Sequence, residues 1–399
     1  MSESLCQELK DCGFNSAAVE TTTVNALPTL NNCTKHGIKP FLHVAKMEDS
    51  VAICDPFVKL CQSAPGLGGW LLKSGVTQSQ ATEGYNLFKA ANSIRKNDQF
   101  VTLEKYDKYT YNRDQKEAIK GKVSMTCPHP IFMGALYYGD FSSKASEEYK
   151  TYIESFQDNL QPSFWPFFTF TTDNDVTAFP SVDFYRGLEI FAMMARYTDS
   201  PIWPYIQCQM ETGLGNNLAL DTEPRMRSAA FSAMAYGAQG LVWWTYRSPI
   251  ATTGKTLDGL IDRNGNKTPL WNIVKRINTR ISAFNLIFNG CRPVECRHTG
   301  TTYYAGTCLL KGAIGPVVSL LTGSAGVLVS HISNEGNDYL VIVNHPGAPT
   351  QKLTIDFSKQ FGIERSSIAS DGSISWNSIS SYNLEINLPA GEMEVFRWC

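Results

Sequence analysis

The chain has 399 residues, 43% of them hydrophobic and 18% charged, with a formal net charge of −2. That length and apolar content suffice for a large core in one or two domains, and the near-neutral balance argues against broad capture of nucleic acid or anionic membrane. No run of about eighteen apolar residues reads as a membrane span, and the start, MSESLCQELKDCGF, has neither the basic end nor the apolar centre of a secretory leader.

From residue 1 to about 285, β-rich runs alternate with helix-like ones. The expected strands are FNSAAVE (14–20), KPFLHVA (39–45), LGGWLLK (67–73), QFVTLEK (99–105), WPFFTFT (165–171), PIWPYIQCQ (201–209) and GLVWWTY (240–246). Helical spacing joins Leu5, Cys6 and Leu9. It also joins Tyr149, Tyr152, Ile153, Phe156 and Leu160, and later Leu270, Ile273, Val274, Ile277, Ile281 and Phe284. Thr268-Pro269 predicts a capped start for that last helix, with proline in its first position.

Alternation of this kind implies parallel strands joined by right-handed crossovers, in an open sheet or a (β/α)8 TIM-type barrel. The even repeat, and the lack of a Gly-rich dinucleotide turn after any strand, favour the barrel. The strand count is one short and the chain opens inside a helix. The expectation is therefore an α/β barrel lacking its first strand because the sequence starts late, and a chain so started would be periplasmic or secreted. Segment 105–140, rich in Tyr, Lys and Asp and holding His129, is expected to be an insertion covering the barrel mouth.

Past residue 290 helical periodicity gives way to short alternating runs: GVLVSHIS, DYLVIVNH, QKLTIDF and YNLEINL. SNEGND predicts a hairpin turn between the first two, ASDGSISW reads as a turn plus strand, and the chain closes on EVFRWC. The expected organisation is a barrel over 1–288 and an all-β sandwich over 289–399, the second read as a buttress in preference to a separate sugar-binding module. Eleven cysteines show no CxxC or Cys/His ligand spacing, so no metal site and no cofactor is expected. Their odd number leaves at least one thiol free or bonded between molecules. Cys291 and Cys296 read as two half-buried thiols in preference to a bonded pair.

A barrel of this kind carries its chemistry at the C-terminal ends of its strands, and period-2 alternation sorts the residues there. Tyr205, Gln207, Gln209 and Glu211 share one parity; so do Thr169, Thr171 and Asp173, and likewise Thr102 and Glu104. Phe41, His43 and Ala45 align, as do Gly69, Leu71 and Lys73. The expected mouth collects Lys73, Glu104, Asp173, Gln207, Gln209 and Glu211, with His43 deeper. Four of these have a plainer alternative: an ion-pair partner for Lys73, a loop anchor for Glu104, a cap for Asp173, a hydrogen-bonded barrel residue for His43. The last strand brings Trp243, Trp244, Tyr246 and Arg247 to the same rim. Aromatic faces stack on the C–H face of a pyranose, and the guanidinium fork binds hydroxyls or carboxylates. One tryptophan is expected to pack between barrel and helices and the other to offer the sugar platform.

MRSAAFSAMAYGAQGLVWWTYRSP and LIDRNGNKTPLWNIVKRINTRI resemble bacterial (β/α)8 glycoside hydrolases of the large retaining clan, β-galactosidase-like members among them. The resemblance continues through GFNSAAVE, CTKHGIKPFLHV, GGWLLK and GVLVSHISNEGNDYLVIVNH. It implies retaining hydrolysis by two carboxylates on the fourth and seventh strands, ~5 Å apart. It also implies an Asp-Glu-Pro triplet after the GW strand, its Glu the proton donor, where this chain has Ser74, Gly75 and Val76. A Ser-aromatic-Asp on the sixth strand is matched here by Thr169-Phe170-Thr171. Neither Ser74 nor Gly75 supplies a proton near neutral pH.

Two functions follow. One is a glycoside hydrolase acting on a poly- or oligosaccharide, with Glu211 as nucleophile or base and Glu104 or Asp173 as acid. The other is a non-catalytic carbohydrate binder that keeps the groove without its proton donor. Both imply a carbohydrate ligand and neither involves nucleic acid, membrane, metal or cofactor.

Overall fold

The computed structural model describes residues 1–44, 59–60, 66–74, 100–104, 131–134, 185, 188–189, 192, 202–208, 210–212, 223–244, 246–247, 256–301, 307–345, 348–369 and 372–399. The chain forms two compact units, Met1–Glu148 with Met194–Trp203, and Tyr149–Met193 with Pro204–Cys399.

The first unit opens with helix α1 (Glu3–Asp11), whose Ser2 side chain accepts a hydrogen bond from the Leu5 backbone N–H at 3.3 Å. Glu3 in its first turn and Lys10 in its last complement the helix dipole. Strand β1 (Ser16–Thr21), helix α2 (Thr23–Lys35) and strand β2 (Lys39–Val44) follow. Then come β3 (Gly69–Ser74), β4 (Phe100–Glu104) and β5 (Ile131–Gly134). All neighbours pair in parallel, β1 with β2, β2 with β3, β3 with β4 and β4 with β5, so sheet order equals chain order. That is the pattern strand–helix alternation demands. Phe41 and Leu42 on β2 are buried, and the Phe41 ring meets Trp203 edge-on at 5.1 Å between centroids.

β5 corrects the sequence reading of 105–140. Part of that segment is a parallel strand, with Val101 opposite Ile131 and Glu104 opposite Gly134, so it does not serve wholly as a cover. Four apolar residues behind Pro130 are too few to show a period. The expected strand 165–171, the expected helix 149–160 and His129 lie outside the described residues.

β6 (Ile202–Gln207), whose residues from Pro204 on belong to the second unit, pairs there in parallel with β8 (Val242–Trp244), through Tyr205–Val242, Ile206–Trp243 and Gln207–Trp244. Between them come β7 (Met210–Thr212) and helix α3 (Glu223–Ala235), and after β8 come β9 (Thr256–Asp258), α4 (Pro269–Ala283) and α5 (Asn285–Phe288). α3 is rich in alanine and serine, and Ser228 through Ala235 are all buried. Small side chains let its backbone approach strands on one side and α4 on the other. Its hydroxyls are satisfied: Ser228 donates to the Asn344 carbonyl at 3.0 Å, and Ser232 shares a 3.3 Å bond with Tyr185.

α4 starts with proline in its first turn, but Thr268 does not cap it. The Thr268 hydroxyl instead donates to the Gly259 carbonyl at 2.7 Å, fastening the helix to the preceding loop. Leu270, Trp271, Val274 and Ile277 form its buried stripe.

α5 ends at Phe288 and β10 (Arg292–His298) opens the antiparallel part. β11 (Val317–Leu321), β12 (Val327–Asn334), β13 (Asn337–Asn344), β14 (Gln351–Phe357), β15 (Ile363–Ile368), β16 (Ile374–Ser378), β17 (Asn383–Leu388) and β18 (Met393–Trp398) complete it. Six strands form one sheet in the order β10-β12-β13-β18-β15-β16, and three form another in the order β11-β14-β17. Both contribute to one apolar core, with Val329, Leu340, Ile342 and Phe396 from the first and Val317, Ile355, Phe357 and Ile386 from the second. The other face of the larger sheet, at β12 and β13, carries α3. Two asparagines staple this arrangement. Asn334 Nδ2 donates to the carbonyls of Leu286, Ile287 and Asn289, and Asn344 Nδ2 to those of Pro349, Leu388 and Pro389. Cys291 and Cys296 are not joined by a disulfide, and both are buried, deeper than expected.

Candidate functional site

In the first unit the C-terminal ends of β2, β3 and β4 hold His43, Lys73 and Glu104. His43 stands opposite Glu20 of β1. Between β3 and β4 the register slips: Leu71 pairs with Val101, but Lys73 pairs with Thr102 and Ser74 with Leu103. This bulge makes Lys73 and Thr102 level at the strand tops. The parity assigned to Gly69 and Leu71 therefore does not run on unbroken to Lys73. Adjacent parallel strands lie about 4.8 Å apart. Glu104, the last residue of β4, thus stands one position beyond the residue that faces Ser74, the last of β3.

In the second unit the expected run of equal parity from Tyr205 to Glu211 is broken. β6 ends at Gln207, opposite Trp244, and Cys208 leaves the strand. Glu211 lies on β7, which pairs antiparallel with β9 and sets Glu211 opposite Leu257. An alternation argument does not survive a change of sheet. Asp173 and Gln209 lie outside the described residues.

Trp243 is buried, and its indole N–H donates to Asn278 Oδ1 of α4 at 2.8 Å. It packs inward against α4. Tyr246 is partly exposed and its carbonyl accepts from the Ile261 backbone N–H at 2.8 Å; Arg247 is exposed and forms a backbone bridge to Ile261.

The sequence reading missed the most polar buried cluster. His345 Nδ1 lies 2.7 Å from the Ala325 carbonyl, which only accepts, so that nitrogen carries the hydrogen. In neutral His345 the other nitrogen accepts, and His298 Nδ1 donates to it across 3.0 Å. His298 Nε2 then accepts from the Tyr236 hydroxyl at 2.8 Å. One carbonyl thereby sets the direction of every bond in the chain. Burial, and next the neighbouring imidazole of His345, hold His298 well below the usual imidazole range. Burial lowers His345 to about 4, opposed by its bond to Ala325. Burial is the main reason that Tyr236 sits well above the usual phenol range, with the charge of Glu189 adding to it. The Tyr185 ring stands edge-on to His298 at 4.5 Å. Helical residues Tyr185, Leu188, Glu189 and Ala192 are buried at the spacing of one helix face. These groups lie inside the protein and bind the end of α3 to the ends of β10 and β13. Single histidines closing apolar strands gave no signal that they would meet.

Among the described residues no group of three or more His, Cys, Asp or Glu is placed to hold a metal ion, and no helix is long and apolar enough to cross a membrane.

No family model matches the chain, and no curated protein matches it by sequence. Solved structures do match in fold. A glycoside hydrolase family 5 protein from Bacteroides vulgatus is similar over 99% of this chain and 84% of its own, at 13% identity and a TM-score of 0.56. Gan42B, a family 42 β-galactosidase of G. stearothermophilus, is similar over 98% of this chain and 95% of its own, at 8% identity and a TM-score of 0.56. Amy13B of Eubacterium rectale is similar over 99% and 91%, at 11% identity and a TM-score of 0.50. At such identities the likeness is one of fold. The chain has a glycoside-hydrolase-like fold of the (β/α)8 type.

Proposed function

We infer that this chain engages an oligosaccharide at the ends of its parallel strands and hydrolyses it poorly, for want of a proton donor at the end of β3. The observation that carries this reading is the strand end itself. β3 closes on Lys73-Ser74 and continues into Gly75-Val76, within a fold shared along nearly its whole length with glycoside hydrolases. A positioned acid contributes about 10²–10⁴-fold to such reactions. A serine hydroxyl does not ionise near neutral pH, and glycine has nothing to offer. Strand alternation gives Trp244 the parity opposite to Trp243, which makes it the sugar platform in this reading, beside Tyr246 and Arg247. Lys73, His43, Gln207 and Gln209 supply polar contacts. Glu211 keeps the role of nucleophile or base, and Asp173, like Glu104, is a carboxylate that would have to be rerouted to act as the acid.

A second reading, a working hydrolase, is favoured by Glu104, which closes the strand next to Ser74. There Glu104 would supply the missing proton. Titration calorimetry against a panel of galacto-, gluco- and xylo-oligosaccharides, run beside assays of reducing-sugar release, tests both. Binding with release at least a hundredfold below that of an active glycosidase supports the first. Fast release that Glu104→Gln abolishes supports the second, and neither binding nor release by the folded protein overturns both.

A further inference from the structure

Two cysteines of the first unit meet far from the strand ends. Cys6 lies in the middle of α1 and Cys33 near the end of α2, 27 residues apart in sequence, yet their sulfurs stand 3.8 Å apart. Both are fully buried. They meet because each lies on the inward stripe of its helix: Cys6 and Leu9 on α1, Ala26, Leu30 and Cys33 on α2. The helices are also joined at their surface, where Lys35 and Glu3 form an ion pair of 2.7 Å. Its exposed position makes it a weak fastener. Asn32 Nδ2 donates to the Met1 carbonyl at 2.8 Å, and the Met1 amino group to Thr29 at 2.7 Å.

We propose that Cys6 and Cys33 are a disulfide site, closed when the chain folds in an oxidising medium, which pins α1 to α2. The sulfurs already touch, and a disulfide needs them at about 2.05 Å; a side-chain rotation with a small helix shift supplies the rest. The timing follows from burial. In the folded protein the Cys33 thiol is pushed up to about 12, chiefly by burial and next by Cys6. A folded pair in the reduced form therefore resists attack, since the thiolate is the nucleophile. In the unfolded or half-folded chain both thiols are exposed and ordinary. One thiolate attacks a small disulfide such as oxidised glutathione, releasing one thiol and leaving a mixed disulfide. The second cysteine thiolate then displaces the other thiol. The two protein thiols lose two electrons and two protons, and the small disulfide becomes two thiols. Folding next buries the bond where reductants do not reach it. Cys12, at the end of α1 and also buried, is the rival partner; the sulfur contact selects Cys6.

The test is a disulfide map of the full chain. Protein is refolded in a glutathione redox buffer, or with excess dithiothreitol, then unfolded in acid, alkylated and digested without reduction. Mass spectrometry is expected to find peptide 1–10 linked to the peptide holding Cys33. Because trypsin leaves Cys12 and Cys33 on one fragment, a Cys12→Ser variant is mapped alongside. The oxidised protein is expected to melt roughly 5 °C above the reduced one, and the difference to vanish in Cys6→Ser and Cys33→Ser. Recovery of alkylated Cys6 and Cys33 from chain refolded under oxidising conditions would overturn the proposal, as would a bond from Cys33 to Cys12. If a variant fails to fold, fragment-ion spectra of the linked peptides from the unmutated chain decide, since they show which of Cys12 and Cys33 carries the alkyl group.

Discussion

The hairpin β12–β13 and the neighbouring pair β3–β4 are both two-strand ladders, and they differ in what holds them. In the hairpin every residue from Val327 to Asn334 has its partner in unbroken register, ending on Asn334 opposite Asn337. A two-residue turn fixes that register, and both its residues, Glu335 and Gly336, take positive φ, at 48° and 80°. Helix α3 covers one side and the sandwiched core fills the other. In β3–β4 no turn sets the pairing, and a bulge shifts it just before the strand ends. The ladder with the regular register is the structural one. The ladder with the slip is the one that carries Lys73, Ser74 and Glu104, where the proposed site lies.

That contrast is open to attack first through its buried histidines. His345 is lowered to about 4 in the folded protein against 6.5 when exposed, and His298 is lowered as well. Above pH 6.5 the neutral forms prevail in both states and this stabilisation is complete. Below it the unfolded chain takes up protons that the native chain refuses, so stability falls as pH drops towards 4 and below. Denaturant titrations are expected to show a loss of about 3 kcal/mol over that window from His345 alone, and a flatter profile in His345→Gln. An unchanged slope would mean that the two imidazoles are not held neutral.

Next in size is the turn before β18. Gly391 has φ of +67°, and a Cβ there would lie 1.9 Å from the Pro224 carbonyl oxygen at the start of α3. Gly391→Ala is expected to cost about 3 kcal/mol in chemical denaturation. The same turn is held by Arg227, which donates to the Ala390 carbonyl at 2.8 Å, and by Arg280, paired with Glu392 at 2.8 Å.

Trp243→Phe sharpens the separation of fold from function. It removes the donor to Asn278 and is expected to cost about 2 kcal/mol of stability while leaving oligosaccharide affinity unchanged in calorimetry. Trp244→Ala is expected to reverse that pattern, weakening binding at least tenfold with a smaller loss of stability. The smallest effect lies in the hairpin turn. Glu335→Asn relieves a left-handed backbone and is expected to raise stability by about 0.5–1 kcal/mol.

What could be read from the sequence follows from the same physics. SNEGND announced its turn because few residues tolerate positive φ. VLVSHIS and DYLVIVN are legible as strands from their β-rich apolar runs, buried almost throughout because α3 covers one face and the core the other. β15, IERSSI, was illegible because polar side chains hold it in place: Arg397 pairs with Glu364 at 2.6 Å and Arg365 with Glu394 at 2.7 Å. β10 carries a proline and a register shift at Pro293–Glu295, which hides its period. At the candidate site, parity failed where the chain changed sheets at Cys208. It left the tandem tryptophans ambiguous until Asn278 claimed one of them. The absence of a carboxylate from Ser74-Gly75-Val76 was legible throughout, because it is a matter of residue identity alone.

The most direct test of that vacancy is to fill it. Gly75→Glu and the parent chain are compared on an oligosaccharide that the parent binds, reading kcat/KM by sugar release with affinity as control. The account predicts a gain of about 10²–10⁴-fold at similar affinity. A parent that already turns over as fast as an active glycosidase, or a well-folded Gly75→Glu protein with no gain, would contradict it.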